Sequence, residues 1–577
     1  MVFLPPPWSP KLPDPPDSIT VEEFVNSEKY GRRVFALSRP PYTCGLTGTT
    51  RSTTQVAERV DYLSRAIGKR LGLNPHEGTE WDRVVALYSL NTIDYVPFTH
   101  AVHRLSGIVT PASAAYSYQE LEHQLRTSGA KALFTCIPLL DNALKAAKGA
   151  GLPLDRIFIL PVPNVPHNVP HSSIEDLIEE GKQLPAVAPL KWSKGQGARQ
   201  TAYLCYSSGT SGLPKAVMIS HHNVIANVLQ ICTSDSVARD QIGLQTQTTL
   251  GVLPFSHIYG LVLVALVGHF RGDQVVVLPK FDLTSVLEAV HKYRIEQLSV
   301  VPPMLIQIIS NQEKCAKYDL SSVRWVFSGA APLGSEVIDD ILKLYPSWKI
   351  GQGYGMTEAS PSILNSIETD TLFGSSGTLN PGSVAKIIDA EGKEVTEHET
   401  RGELLVQSPS VVLGYLNNEK ANSETFVWDD DGRWLKTGDE VLVRKSKNGN
   451  EHFVVTDRIK ELIKVKGHQV APAELEAHLL AHPFVSDCTV IPIPDDRAGE
   501  VPKAYVVKAT SAVGGKSDAD VVAAICKHVE DHKARHKWLK GGVEFIDVIP
   551  KSPSGKILRR LLKDKEAQRR KQKGARL

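Results

Sequence analysis

The segment from Thr201 to Lys215, TAYLCYSSGTSGLPK, carries an apolar run into Ser207, Ser208, Gly209, Thr210, Ser211 and Gly212 and ends on Lys215. Glycines let backbone N–H groups close on an anion, hydroxyls add donors, and a lysine brings a full positive charge to phosphate oxygens. The spacing is not that of a Walker loop, and Pro214 would disturb that geometry. A surface loop can have the same Ser/Gly composition. Further on, GQGYGMTEAS gathers Gln352, Gly353, Tyr354, Gly355, Thr357 and Glu358. It offers an aromatic face for a base, a hydroxyl for a phosphate oxygen and a hard carboxylate for a hard cation. Taken singly, Tyr354 reads as core and Glu358 as a solvated helix residue. The segment VFSGAAPLG ends a strand in Gly329, Ala330, Ala331 and Pro332, small residues that admit a flat ring near the backbone. In KTGDE, Asp439 can accept from two sugar hydroxyls, although an Asp after Gly is commonly a turn residue.

These groups need a layered scaffold. VVALYSL, TIDYVPFTHAVHRL and GIVTPA read as strand, helix and strand, and QVVVLPK, LTSVLEAVHKYR and QLSVVPP repeat the grammar. Such units predict an α/β fold: a large N-terminal domain of layered sheets and helices with largely parallel strands. The texture changes near Asp457, to a Lys-rich segment, a helix from Pro472 with Leu475, Leu479 and Leu480 on one face, and the strands CTVIPIP and AYVVKA. The expected division is therefore 1–456, a hinge at 457–460, and a small mobile α+β C-terminal domain over 461–577. The basic end, KDKEAQRRKQKGARL, is expected to be a mobile tail. Leu261 to Val267, the longest apolar stretch, is too short to span a bilayer and is expected to be a buried core helix.

The balance of 65 Lys and Arg against 63 Asp and Glu argues against a nucleic-acid partner. Seven scattered cysteines without a C-x-x-C pair, and no clustered histidines along the sequence, predict reduced thiols and neither a disulfide framework nor a zinc site. Prolines in MVFLPPPWSPKLPDPPDS stand where a signal peptide needs an apolar run, so secretion is not expected.

YSSGTSGLPKAVMISHHNVIA resembles the signature loop of the adenylate-forming superfamily, which includes acyl-CoA synthetases, 4-coumarate-CoA ligases, luciferases and peptide-synthetase adenylation domains. Ala216 departs from the glycine usual there. The resemblance runs over nearly the whole chain with its motifs in the family's order. It implies ATP, Mg²⁺ and coenzyme A as cosubstrates and cofactor, and a carboxylic acid activated as its adenylate. Tyr354 would stack on adenine, beside the 329–331 segment. Thr357 and Lys215 would contact phosphate, Glu358 would hold Mg²⁺, and Asp439 and Arg458 would hold the ribose. In PKSPSGKILRRLL, Lys556 matches the lysine that bridges the attacking carboxylate and the α-phosphate, where a fixed cation stabilises charge shared by entering and leaving oxygens. A solvated surface lysine is the plainer alternative in so basic a neighbourhood.

Rotation about the hinge would then withdraw Lys556 and present Lys464, Lys466 and Gly467 to the pantetheine arm, with Lys280 a further position near coenzyme A. His468 stands where relatives often carry an aromatic ring. His257 and Tyr259 of PFSHIYGL match positions lining the acyl pocket of 4-coumarate ligases, with Gly329, Gly353, Pro361 and Ser362 as further walls. Ser362 replaces a commonly aliphatic residue, so the identity of the acid does not carry over. IKVKGHQVAPAELEAHLLAHPFVSD and VEDHKARHKWLKGG are similar to fungal peroxisomal aryl-CoA ligases such as phenylacetyl-CoA ligase. Ala575-Arg576-Leu577 fits the small-basic-Leu address read by the peroxisomal import receptor, which predicts the peroxisomal matrix, with the cytoplasm as the alternative. Two other readings stay open: an adenylating enzyme with another acceptor, a carrier protein or an oxidation, and a non-catalytic nucleotide-binding scaffold.

Overall fold

The computed structural model describes residues 2–207, 214–466, 468–495, 497–509, 513–551 and 555–574, side chains excepted over 571–574. The two strand–helix–strand units expected from sequence form as Val84–Tyr88, Tyr95–Arg104 and Ile108–Ala112, and as Gln274–Val277, Leu283–Tyr293 and Gln297–Val300. They lie in different sheets. The first sits in a seven-stranded sheet whose 201–207 strand turns back antiparallel into Lys215–Ser220, bringing Ser207 opposite Lys215. The second belongs to a nine-stranded sheet that is parallel in its middle and antiparallel at both ends, with Thr248–Gly251 inserted between the two strands of the unit.

A long helix, His221–Gln241, links these sheets. It starts at a capping box in which Ser220 Oγ accepts from Asn223 N–H. Three buried polar residues inside it each grip a distant segment: Asn223 Nδ2 donates to the Pro409 and Val411 carbonyls, Asn227 Nδ2 to Ser362 O, and Gln230 Nε2 to Pro381 O. The hairpin bearing Tyr354 and Glu358 is thereby fixed against the helix that follows Lys215. A further five-stranded antiparallel sheet contains Gly432–Lys445 paired to Glu451–Arg458.

The apolar stretch near residue 261 is buried, as expected, but Tyr259–Leu266 winds in wide i→i+5 turns before Val267–Arg271 resumes ordinary helix. Side chains buried almost all round leave no polar face, so the sequence pattern cannot distinguish the two windings.

Beyond Arg458 the chain enters a separate five-stranded sheet, with its own apolar core around Leu475, Leu479, Val490, Val506, Val521 and Ile525. Asp457 and Arg458, the first residues of the expected hinge, still pair with Glu440 and Asp439 in the large domain's sheet, and the turn proper follows. The basic end departs from the expected mobile tail: Arg559–Gly574 is helical. Leu562 is buried, Glu566 accepts from Lys503 and Tyr505, and Arg569 pairs with Glu544 at 2.7 Å, interactions that a composition reading does not register. The tripeptide 575–577 lies outside the described residues. Among the described residues no helix is long and apolar enough to cross a membrane.

Candidate active site

The site is assembled where the small domain meets the edges of the large one. Gly555 sits against Val301, so that a Cβ there would lie 3.1 Å from the valine, and Ala477 packs near Gly334. This contact brings Lys556 among residues distant in sequence. Burial pushes its ammonium down to about 8, with Arg458 acting in the same direction, while Asp439, Glu358 and Glu461 resist the shift. A lysine influenced by all four groups is no longer a solvated surface charge.

Asp439 and Arg458 face one another across their strand pair, with Arg458 Nε 3.7 Å from a carboxylate oxygen of Asp439. Tyr354 donates its hydroxyl to the other oxygen at 2.5 Å. Burial raises the Asp439 carboxyl above its usual range, opposed by Arg458, Tyr354 and Lys556; burial and then Asp439 raise the Tyr354 phenol. A tyrosine ring tied to a carboxylate offers a base and a sugar adjacent contacts.

Glu358 is buried in the short turn Thr357–Ala359 and accepts a hydrogen bond from Tyr415 at 2.9 Å. Lys215 lies over the face of that tyrosine, 4.7 Å from the ring centre. Tyr415 therefore joins the phosphate-type lysine to the candidate Mg²⁺ ligand; in the sequence it carries no signal beyond a glycine before it. Ser207 faces Lys215 in the ladder, whereas Ser208, Gly209, Thr210, Ser211 and Gly212 lie outside the described residues.

On the acyl side, His257 is half-buried, and desolvation followed by the charge of Lys556 pushes its imidazole down to about 4. Its Nδ1 accepts from Tyr259 N–H at 3.2 Å, which leaves the proton of the neutral ring on Nε2. The Tyr259 hydroxyl donates to Phe327 O, and its ring covers Gly329, where a Cβ would stand 3.0 Å from the ring edge. Ala330 takes a left-handed φ of 67°, turning the chain from the strand toward Ala331. Gln352 does not point into open space: its side-chain oxygen accepts from Leu333 N–H and locks that turn. Gly353 and Gly355 permit close packing, with Phe327 and the Pro361 carbonyl at 2.4 and 2.1 Å from where a Cβ would be.

Ser362, expected as a pocket wall, is buried beside Gly355. Its hydroxyl is engaged with Asn380 at 3.0 Å and Leu364 O at 3.4 Å, in the interior beside the long helix. Strand alternation sends this side chain inward, a direction a motif alignment does not carry. Pro361, before it, forms a cis bond with Ser360. None of the expected coenzyme A lysines is among the charges that act most on Lys556. Lys280, Lys464 and Lys466 are exposed, with Lys466 at a left-handed φ of 49°, and Gly467 lies outside the described residues.

Interactions that sequence spacing does not show tie the small domain together and to the last strand of the large one. Arg559 bonds Glu461 and Glu476, 2.5 Å from the latter. The Asp457 carboxylate accepts from Ala473 N–H at 2.9 Å, at the start of the 472–480 helix. Burial raises this carboxyl to about 6 although Arg559 pulls the other way.

An aromatic ring tied to a carboxylate, a buried Glu358 joined through Tyr415 to Lys215, and Lys556 brought to the same acidic groups by the small domain make the set of groups that a nucleotide-handling enzyme uses. The chain belongs to the AMP-binding enzyme family: residues 27–416 match that family and residues 474–556 match the AMP-binding enzyme C-terminal domain. It is 37% identical to the acyl-CoA ligase easD of Emericella nidulans over 98% of this chain and 100% of that protein. It is 41% identical to the acyl-CoA ligase AKT1 of Alternaria alternata over 98% and 97% of the two chains. Among solved structures, the anthranilate CoA ligase AuaEII in complex with anthranoyl-AMP superposes with a TM-score of 0.78 at 22% identity, covering 95% of this chain and 97% of that one. The shared fold is that of adenylate-forming enzymes.

Proposed function

We propose that this protein is an AMP-forming acid–CoA ligase: it joins a carboxylic acid to ATP as an acyl-adenylate, releasing pyrophosphate, and passes the acyl group to the thiol of coenzyme A. The observation that carries the reading is the delivery of Lys556 by the small domain to the groups around Asp439, Glu358 and His257. The carboxylate oxygen attacks the α-phosphorus, the bond to the β,γ-diphosphate breaks, and the Lys556 ammonium stabilises charge spread over the attacking and phosphoryl oxygens. Thr357 and Lys215 bind phosphate oxygens, and Tyr354 with Asp439 orients the nucleoside. His257, neutral at physiological pH, donates Nε2–H and so can orient the acid's carboxylate without adding charge.

Glu358 fits a divalent cation: it is buried, has one hydrogen bond from Tyr415, and has an oxygen free of that bond. It would hold Mg²⁺, which supplies charge neutralisation of the triphosphate. Coenzyme A as acceptor is supported by the acyl-CoA ligases at up to 41% identity over nearly full length. Lys280, Lys464 and Lys466 are exposed cations suited to its phosphates after the small domain turns.

Acid-dependent exchange of pyrophosphate into ATP, followed by CoA-dependent thioester detected by mass over a panel of aryl and aliphatic acids, tests both halves. Exchange without thioester would transfer the reading to another acceptor. Absence of exchange with every acid would overturn it. We further propose a peroxisomal location on the Ala575-Arg576-Leu577 pattern. Deleting the three residues from a protein tagged at its N-terminus should turn punctate fluorescence diffuse, and unchanged puncta would refute it.

A further inference from the structure

Histidines that look scattered in the sequence converge on the small domain. His528 and His532 are one helical turn apart on Asp518–His532, and His478 lies on the facing helix Pro472–Leu480. One ring nitrogen from each of the three lies within 4.8 Å of the other two. The His478 and His528 rings stack with centres 4.1 Å apart, and His532 stands 5.2 Å from His528.

Each ring is also oriented by the backbone. His478 Nε2 lies 3.2 Å from the His528 carbonyl, His528 Nε2 lies 3.2 Å from the His478 carbonyl, and His532 Nδ1 lies 2.8 Å from the His528 carbonyl. A carbonyl only accepts, so these three nitrogens carry the protons, and in the neutral ring the other nitrogen bears a lone pair. In metal-binding histidines the second ring nitrogen donates in this way, and the His478 and His528 rings, 6° from parallel, must turn for their lone pairs to meet at one ion. His482 packs beside the group but does not join it: its Nδ1 accepts from Phe484 N–H, which places its proton on Nε2. The neighbouring cation Lys533 is paired with Glu474 at 3.2 Å, which reduces the field opposing a second positive charge.

We infer that His478, His528 and His532 form a binding site for one transition-metal dication of the class that prefers imidazole, Zn²⁺ foremost, which ties the two helices of the small domain together. Zn–N bonds of about 2.1 Å require ligand nitrogens roughly 3.4 Å apart, so the rings must close by about an ångström or more, within the reach of side-chain rotation. Three neutral imidazoles leave a fourth position for water, and His532, exposed on the last turn of its helix, gives the ion access. The site is separate from the Glu358 region and from Lys556.

The test is Zn²⁺ titration of the tag-free full-length protein, freed of metal by chelator, against a competing chromophoric chelator. Co²⁺ substitution reports ligand geometry, and thermal unfolding is followed with and without Zn²⁺. One ion per chain is expected, with a visible Co²⁺ d–d spectrum and a raised melting temperature of the small domain. His532→Ala, on an exposed position, should weaken Zn²⁺ more than about tenfold, and His478→Gln likewise. His536→Gln, whose ring stacks on His468 outside the group, should leave binding unchanged. Binding retained in both the His532 and His478 variants, or no binding tighter than that of the two together, would overturn the proposal. Circular dichroism separates loss of a ligand from loss of fold.

Discussion

At the scale of single residues, function rests on how burial and charge set protonation. Lys556→Ala is expected to lower pyrophosphate exchange by about 100-fold or more, since one preorganised charge aimed at a transition state is worth that much. Thioester formation from supplied acyl-adenylate should stay within a few-fold, measured by rapid quench. An equal loss in both steps would show that the lysine serves more than adenylation. Because burial pulls the Lys556 ammonium down to about 8, and its protonated form is the active one, kcat/KM for adenylation should fall as pH rises through that value. In Lys556→Arg the residual activity should lack this alkaline limb. Gly329→Ala would place a methyl group 3.0 Å from the Tyr259 ring, forcing the ring to shift. The expected outcome is a changed order of preference among acids with KM for ATP nearly constant, read from exchange assays on an acid panel.

At the scale of elements, the anchor is Arg559 at the start of the terminal helix, between Glu461 and Glu476. Arg559→Met removes the cation and leaves the buried Glu476 and the half-buried Glu461 uncompensated, a change that costs about 3–5 kcal/mol in comparable settings. Calorimetry should show the small domain melting well before the large one. The sequence exposed the strands, the 472–480 helix and the change of texture near Asp457, because alternating apolar runs and a proline at a helix start are local signals. It did not expose the terminal helix, whose support is the long-range pairing of Glu566 with Lys503 and of Arg569 with Glu544. Nor could it show Ser362 turned inward or Tyr415 bridging Lys215 and Glu358, since both are matters of direction rather than spacing. The motif order made Lys556, Asp439 and Arg458 legible as one group. Nothing local marked His478, His528 and His532 as neighbours, because they come from two helices about fifty residues apart.

At the scale of the whole molecule, the large domain carries a cost in acid. His100, His103, His221 and His269 are fully buried, and burial holds all four rings neutral, with His103 pushed down to about 4 and His269 to about 3. The unfolded chain therefore binds protons that the folded one refuses. Stability is intact above the unfolded value near 6.5 and falls as pH drops below it, by up to about 1.4 kcal/mol per pH unit for each ring. Between pH 7 and 5.5 the four together should remove about 5 kcal/mol, seen as a lower urea midpoint of the large domain. An unchanged midpoint would mean that other groups offset the proton uptake.

The grip of Arg559 on Glu461 and Glu476 has a temporal consequence. It joins the segment just after Lys556 to the residues just past the turn, so the lysine moves with its whole lobe rather than as a lone side chain. A charge carried on so large a body arrives and departs at the pace of domain motion, microseconds to milliseconds, and not of side-chain fluctuation. The two half-reactions would then run as separate shifts on one workbench, and the lifetime of the adenylate would be set by how quickly the lobe changes over.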